Sequence, residues 1–498
     1  MWRRKSIDAI LEGAQRRSLH RTLGPVELML LGIGSVIGTG IFVLTSDAAQ
    51  LAGPGMIVSF VIAALVCAAT ALCYAEIASM VPVSGSAYTY SYAVLGEVFA
   101  WLVGWALILE YAVSASAVAV GWSGYFTGLV EHAFGWKLPA MLTSSPAAGG
   151  MIDLPAVFIS LLCTVLLVRG TKESARVNAV LVAMKIAALA LFFCLAVPAF
   201  HAGNFQPFAP KGPTGVINAA SSIFFAYIGF DAVSTASEET RDPQRNVPIG
   251  LIGSLVVCTV IYILVAGAAV GALGAQPVHG PLGEIVSPGS RAMGAACAVA
   301  GQGGPIPLVC SNEALAYALR QIGHPAVAGV VGVVAFIALP TVILMMIYGQ
   351  TRLFFVMARD GLLPGVLTRI HARYKTPHVV TWITGLIIAL GAAFFPVGAL
   401  ADVSNSGTLF AFFLVAVAVL ILRRTEPGRA RGFRTPAVWI MAPLAMLGCV
   451  VLFVFLSPAA KMVFPVWSAI GVVFYLAYGV RHSRARPGAD AEALLPEA

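Results

Sequence analysis

Glu110, Lys185 and Asp231 each stand inside a long apolar run, where an ionisable side chain needs a reason. A charge at membrane depth is costly and usually functional. Lys185 lies about eight residues from the nearer polar flank, too deep for easy snorkelling. Two chemistries suit it. It can stay charged and donate to backbone carbonyls, those near Gly34 being in reach, or it can lose and regain a proton, since desolvation disfavours the charged form. Glu110, beside Tyr111, either holds freed backbone through a hydrogen bond or carries a proton. Asp231 either joins it as a buried carboxylate or caps a helix, because an aspartate at a helix N-terminus satisfies orphan N–H donors.

Two backbone patterns stand beside these groups. Residues 32–40 read Gly-Ile-Gly-Ser-Val-Ile-Gly-Thr-Gly, four glycines in nine residues of an apolar run. Each glycine costs a helix about 1 kcal/mol relative to alanine. Close helix packing through Gly34 and Gly38 is one compensation. The other is a local break, tolerated in mid-membrane only where the backbone lines a cavity or binds something. Residues 225–231, Phe-Ala-Tyr-Ile-Gly-Phe-Asp, place a second glycine, with a carboxylate close by, in another apolar run, and this favours the break.

The elements that must position these residues are membrane spans. Of 498 residues, 59% are hydrophobic and 10% charged, against roughly a quarter charged in a soluble protein. Twelve segments approach the roughly 20 apolar residues that a span needs. They lie near 26–50, 56–79, 97–122, 151–168, 177–198, 214–236, 247–273, 325–350, 378–395, 404–422, 437–456 and 462–480. With the N-terminus inside, 24 of the 30 Lys and Arg fall in cytoplasmic segments, five fall outside, and Lys185 is within a span. Both termini are therefore expected in the cytoplasm. The basic balance is accounted for by orientation, without nucleic acid, and the first span starts too late for a removable signal peptide.

The reading is an all-α polytopic membrane protein of twelve transmembrane helices. Residues 1–24 form a cytoplasmic amphipathic segment, with Ile7, Ile10, Leu11 and Ala14 at helical spacing suited to the inner leaflet. The transporter domain covers 25–480, and a short tail covers 481–498. Spans one and six hold the two interruptions. If each opens a five-span half, the halves are inverted repeats at about 25–198 and 214–422, with extra spans at 437–480. Paired interruptions of this kind are the best sequence pointer to a transporter substrate site. The connection at about 275–324 is Gly/Pro-rich from 276 to 308 and too polar to span; it reads as an outside cap, with 292–300 able to form a short helix. It holds Cys297 and Cys310, which could pair in an oxidising exterior or stay free thiols. The other six cysteines read as small apolar residues.

All eight histidines fall in loops or at span ends, so no metal cluster with helical spacing arises within the membrane and an enzyme is disfavoured. A passive channel would need rings of polar residues or a filter built by several subunits.

Seven motifs, in order from about 21 to 434, resemble the amino acid–polyamine–organocation transporters, and within them bacterial relatives of the cationic amino acid transporters. They are residues 32–44 (GIGSVIGTGIFVL), 82–90 (PVSGSAYTY), 104–111 (GWALILEY), 177–188 (VNAVLVAMKIAA), 224–235 (FFAYIGFDAVST), 349–364 (GQTRLFFVMARDGLLP) and 433–436 (FRTP). The chain departs from that pattern in the long connection at 276–308 and in Pro340 within span eight. The resemblance implies the five-plus-five inverted-repeat fold, discontinuous helices one and six, and secondary uptake or exchange of amino acids by alternating access.

Carried onto this sequence, it places the substrate carboxylate at the backbone N–H groups around Gly38, Thr39 and Gly40, after Ile37, with the Thr39 hydroxyl. The ammonium falls to carbonyls near Val36, Phe225, Ala226 and Ile228. The physics agrees: a half-helix N-terminus attracts an anion and a half-helix C-terminus a cation. Phe230, Tyr227 and Met346 either wall the substrate side chain or are ordinary packing. In similar proteins that carry cationic substrates a small residue aligns with Met346, and no second carboxylate is placed for a distal cation. The expectation is a small or medium neutral L-amino acid, with cationic amino acid uptake or amino acid–amine exchange as alternatives. A lysine at the place of Lys185 is found in proton-coupled relatives where sodium-coupled ones bind an ion, so a proton gradient drives the reaction and no cofactor is expected. The expected location is the plasma membrane, the inner membrane in a bacterium. The partners are the amino acid and the bilayer; the residues neither identify nor exclude a small single-span subunit.

Overall fold

The computed structural model describes residues 5–8, 10–11, 21–83, 86–170, 175–302 and 306–483. Among them there is no β-strand. Eight helices are long and apolar enough to cross a membrane, and four more are apolar but shorter: Pro25–Val36, Leu154–Arg169, His378–Phe394 and Val438–Val454. The chain is a polytopic membrane protein.

The first apolar run is broken as the glycines suggested. Helix α1 (Pro25–Val36) starts on a proline, with the Glu27 carboxylate accepting from the Gly24 N–H at 3.0 Å. It stops because Ile37 turns extended (ψ 98°) and Gly38 follows at φ −149°, ψ −144°. The helix resumes as α2 (Thr39–Phe42) and α3 (Leu44–Ala52), then Gly53, at φ +64°, turns the chain toward α4 (Met56–Met80). Helices α5 (Ser86–Val94) and α6 (Glu97–Phe134) come next, then α7 (Leu154–Arg169) and α8 (Ala175–Ala196), which carries Lys185.

The second interruption runs from α9 (Gly212–Ile223) through a tight turn, Phe224–Tyr227, to α10 (Ala232–Thr235). Between them Ile228 is extended (ψ 139°) and Gly229 takes φ +110°. A side chain at Gly229 would be strained at that φ, and a Cβ would sit 3.0 Å from the Ser35 carbonyl oxygen. The glycine thus lets the second interruption press on the first.

Helix α11 (Pro243–Leu273) packs on α1 and α4. In the long connection, α12 (Arg291–Gln302) covers the stretch expected to form a short helix, and Cys297 is bonded to Cys310. Helix α13 (Ala314–Gln321) leads into α14 (Pro325–Arg359), which packs on α6 and runs unbroken through Pro340. Helix α15 (His378–Phe394) packs on α7, and α16 (Val397–Thr425) packs on α6. The chain closes with α17 (Val438–Val454) and α18 (Pro458–Phe474). Exposed apolar rows such as Leu386 and Leu390 of α15, or Ile440, Leu444 and Leu447 of α17, give faces suited to lipid.

Two expectations change at the end of the bundle that carries the N-terminal residues. The described part of the first segment does not present its apolar face to a leaflet. Ile7 is buried in the core, Ile10 and Leu11 pack on it, and Lys5 pairs with Asp360 at 2.6 Å. Ala14 and the tail from 484 on lie outside the described residues. Glu76 and Glu97, acids near the ends of their apolar runs where a solvated charge is expected, are buried: Glu76 is held by Arg423 (2.7 Å) and Arg431 (3.0 Å), and Glu97 by the hydroxyls of Tyr92, Tyr475 and Ser483. Long-range partners make this burial affordable, and a single sequence does not display them.

Candidate functional site

The two interruptions face each other and bound a small cavity of about 10 Å³ lined by Ser35, Val36, Gly38, Thr39, Gly40, Ser114, Val118, Phe225, Ile228, Val342 and Met346. That is the room of about one water. A second cavity of about 60 Å³ shares Ser35, Ile228 and Met346 with it and passes Glu110, Tyr111 and Asp231 toward Arg352 and Val356. The two cavities adjoin at those three residues.

The backbone supplies the ends that a zwitterion needs. At the start of α2 the first N–H groups have no partner within the helix, and the buried Thr39 hydroxyl beside them makes no hydrogen bond. Opposite them are carbonyls released by the breaks. The Val36 carbonyl accepts from the Tyr262 hydroxyl of α11 at 2.8 Å, and the Phe225 carbonyl from the Ile228 N–H at 3.2 Å. Each keeps a second lone pair. The end of α9 is held by Asn405 of α16, which donates to the Ser221 and Ser222 carbonyls at 2.8 and 3.1 Å. Gly40 sits so close to the Ala226 backbone that any Cβ there would collide with it.

Seven of the residues singled out from the sequence line the small cavity: Val36, Gly38, Thr39, Gly40, Phe225, Ile228 and Met346. Four others line neither cavity. Ile37 is fully buried and its N–H bonds back to the Ile33 carbonyl at 2.9 Å. Ala226 is spent on the contact with Gly40. The tight turn points Tyr227 away, where its hydroxyl donates to the Phe60 carbonyl at 3.1 Å and its ring meets Tyr262. Phe230 packs instead against the rings of Phe412 and Tyr74. The wall facing the breaks comes from α6 and α14, through Ser114, Val118, Val342 and Met346.

Lys185 is buried, and its ammonium donates to the Gly34 carbonyl at 2.9 Å, one turn before the break. The Asp231 carboxylate lies against the N–H groups of Gly229, its own residue and Ala232, at the start of α10. Glu110 does not brace span six by a backbone bond; it faces the Thr408 hydroxyl of α16 and acts electrostatically on Asp231, while its Oε2 makes no hydrogen bond. Asn405 does the bracing. Among the described residues no group of three or more His, Cys, Asp or Glu could hold a metal ion.

Tyr262, Asn405, Ser114, Val118 and Val342 went unnoticed in the sequence. Each sits in a regular apolar helix, and only its packing partner gives it a role.

Residues 23–479 match the family model described as amino acid permease. The chain is 44% identical to the branched-chain amino acid permease BcaP of Bacillus subtilis, over 97% of this chain and 98% of that one. It is 42% identical to the methylthioribose transporter of the same organism, again over 97% and 98%. With the chloroplastic cationic amino acid transporter 9 of Arabidopsis thaliana it shares 33% identity, over 82% of this chain and 68% of that one.

Proposed function

This chain belongs to the amino acid permease family, and we propose that it takes up small or medium neutral L-amino acids together with a proton, by alternating access. It is an integral membrane permease and not an enzyme. The observation that carries the substrate class is the wall of the small cavity. Opposite the backbone groups stand Val118, Val342 and Met346, with Phe225 beside them, and no charged side chain lines the cavity. A zwitterion fits the two half-helix ends, and an apolar side chain of modest length fits that wall. A distal ammonium or guanidinium would lie there without a counter-charge. The branched-chain permease is a relative of the kind this reading expects.

In this reading α1 with α2 and α3 is one broken span, α9 with α10 is another, and twelve spans make two inverted five-span repeats plus two. The N-terminal end is cytoplasmic, so the larger cavity opens inward and the disulfide lies outside. Lys185 supports proton coupling, because its ammonium already occupies the carbonyl beside the break, where a sodium ion would otherwise be drawn.

The methylthioribose transporter sets the competing reading. Such a ligand has no charges for the half-helix ends, but its thioether would suit Met346 and its hydroxyls the side chains of Ser35, Thr39 and Ser114. Purified protein in liposomes tests the choice. Labelled leucine and alanine should accumulate when the outside is made acidic, without sodium, and unlabelled leucine should compete far better than arginine or methylthioribose. Stronger competition by arginine or methylthioribose overturns the substrate class. Uptake that ignores the pH gradient but needs internal amino acid replaces symport with exchange.

A further inference from the structure

Away from both cavities, the connection between α14 and α15 carries charge that its own sequence does not answer. Residues 361–401 contain no Asp or Glu, yet Arg369, Arg373 and Lys375 stand close together among them. All three are exposed, and Arg373 lies over the ring of its neighbour Tyr374. Other cations at this end of the bundle are spent on acids: Lys5 on Asp360, Arg423 and Arg431 on Glu76, and Arg429 on Glu426 and Asp8. Among the described residues, none of the three on the connection pairs with a carboxylate.

The connection is a built turn. The His371 Nδ1 accepts from the Arg373 and Tyr374 N–H groups at 3.1 and 3.2 Å, and the His371 N–H donates to the Thr376 carbonyl at 2.8 Å. The turn docks on the end of α7, where the Thr376 hydroxyl donates to the Val168 carbonyl at 2.6 Å. A Cβ on Gly170 would sit 3.3 Å from Thr376 and 3.4 Å from the Tyr374 carbonyl oxygen. This docking brings Arg169, the exposed last residue of α7, beside the turn, so that four cations from two distant parts of the chain share one surface.

That surface is also apolar. Val366 and Ile370 are about half exposed on the same connection. The two helices that leave it expose Phe158 and Leu162 on α7 and Leu386 and Leu390 on α15. Trp382, one turn into α15, is exposed where an aromatic residue meets a membrane interface. Orientation alone asks for cations at a cytoplasmic end. It does not ask that they gather without an acid beside exposed apolar residues. A soluble anion would account for the cations and leave Val366, Ile370 and Trp382 unexplained; a phospholipid accounts for both.

We propose that Arg169, Arg369, Arg373 and Lys375 form a headgroup site for an anionic phospholipid whose acyl chains lie along α7 and α15. The site depends neither on the transported substrate nor on proton coupling.

The test is native mass spectrometry of the full-length chain in detergent, titrated with phosphatidylglycerol or with phosphatidylcholine of the same chain length. The wild type should retain phosphatidylglycerol in preference. A basic residue near a membrane surface is worth about fivefold in binding, so Arg169→Gln should weaken retention about fivefold and the combined Arg369→Gln, Arg373→Gln, Lys375→Gln variant about a hundredfold. Arg245→Gln, an exposed cation at the start of α11 with Asp242 close by in sequence, should leave retention unchanged. Thermal unfolding without added lipid checks that each variant is folded. Equal retention by the wild type and the combined variant overturns the proposal, as does a loss in Arg245→Gln equal to that in Arg169→Gln, which would mean that the lipid follows net charge. Displacement of the lipid by equimolar glycerol phosphate or polyglutamate would assign the patch to a soluble anion or an acidic protein and overturn the lipid site.

Discussion

Met346 lines both cavities and is buried, so it stands where the substrate side chain must end. Met346→Ser removes Sδ and Cε and turns Cγ into a hydroxyl, opening room for about two methylene groups. Each buried methylene contributes about 0.8 kcal/mol, so a substrate longer by two gains about 1.6 kcal/mol, roughly fifteenfold in affinity. Alanine does not reach the new space and should change little. The assay is inhibition of labelled leucine uptake by unlabelled alanine, leucine and norleucine in liposomes, for wild type and variant. The ratio of the alanine to the norleucine inhibition constant should rise about tenfold or more in Met346→Ser. An unchanged ratio, with leucine transport retained, would refute the placement of the side chain against α14. It would then have to lie along the route past Ile228 toward Tyr111.

Two further substitutions probe the breaks. Lys185→Ala leaves the Gly34 carbonyl without the donor now at 2.9 Å, a loss of about 1–3 kcal/mol at a buried group, and should slow uptake and remove its response to a pH gradient; an undiminished rate with an unchanged pH profile would deny Lys185 both roles. Gly229→Ala forces a Cβ onto a backbone at φ +110° and to 3.0 Å from the Ser35 carbonyl oxygen, at a cost of about 1–3 kcal/mol. A lower unfolding temperature and lost uptake are expected, and wild-type values of both would show that the two breaks need not touch.

Both interruptions were legible because they are local. Four glycines in nine residues have few uses in an apolar helix, and Gly38 does end α1. The length of the apolar runs marked a polytopic membrane protein for the same reason. What stayed hidden depends on direction and distance. Tyr227 and Phe230 lie inside the second break, yet the tight turn at Phe224–Tyr227 aims one ring at Tyr262 and the other at Phe412. Asn405 lies 183 or more residues from the carbonyls it holds.

The contacts around the small cavity also say where it must open. Spans one and six are tied backbone to backbone, at Gly40 with Ala226 and at Gly229 with Ser35, and they are anchored through Tyr262 to α11 and through Tyr227 to α4. These elements should move as one body, because separating them would bare backbone on both sides of each break. Against α14 the fit is looser: a Cβ on Gly38 would meet Val342 only at 3.5 Å, an ordinary contact. Against α6 it is tight on one side of the breaks, where Gly121 makes room for Thr39 and the Tyr125 hydroxyl donates to the Phe42 carbonyl at 2.9 Å. The cavity accordingly runs the other way, to Arg352. In the proposed alternating access, the disulfide end opens only by giving up the Tyr125 bond and the Gly121 packing. One hydrogen bond contributes about 1 kcal/mol net. The Tyr125 bond is thus a small part of what holds this end, where Gln50 of α3 also donates to the Val278 and Val286 carbonyls at 2.9 and 3.0 Å.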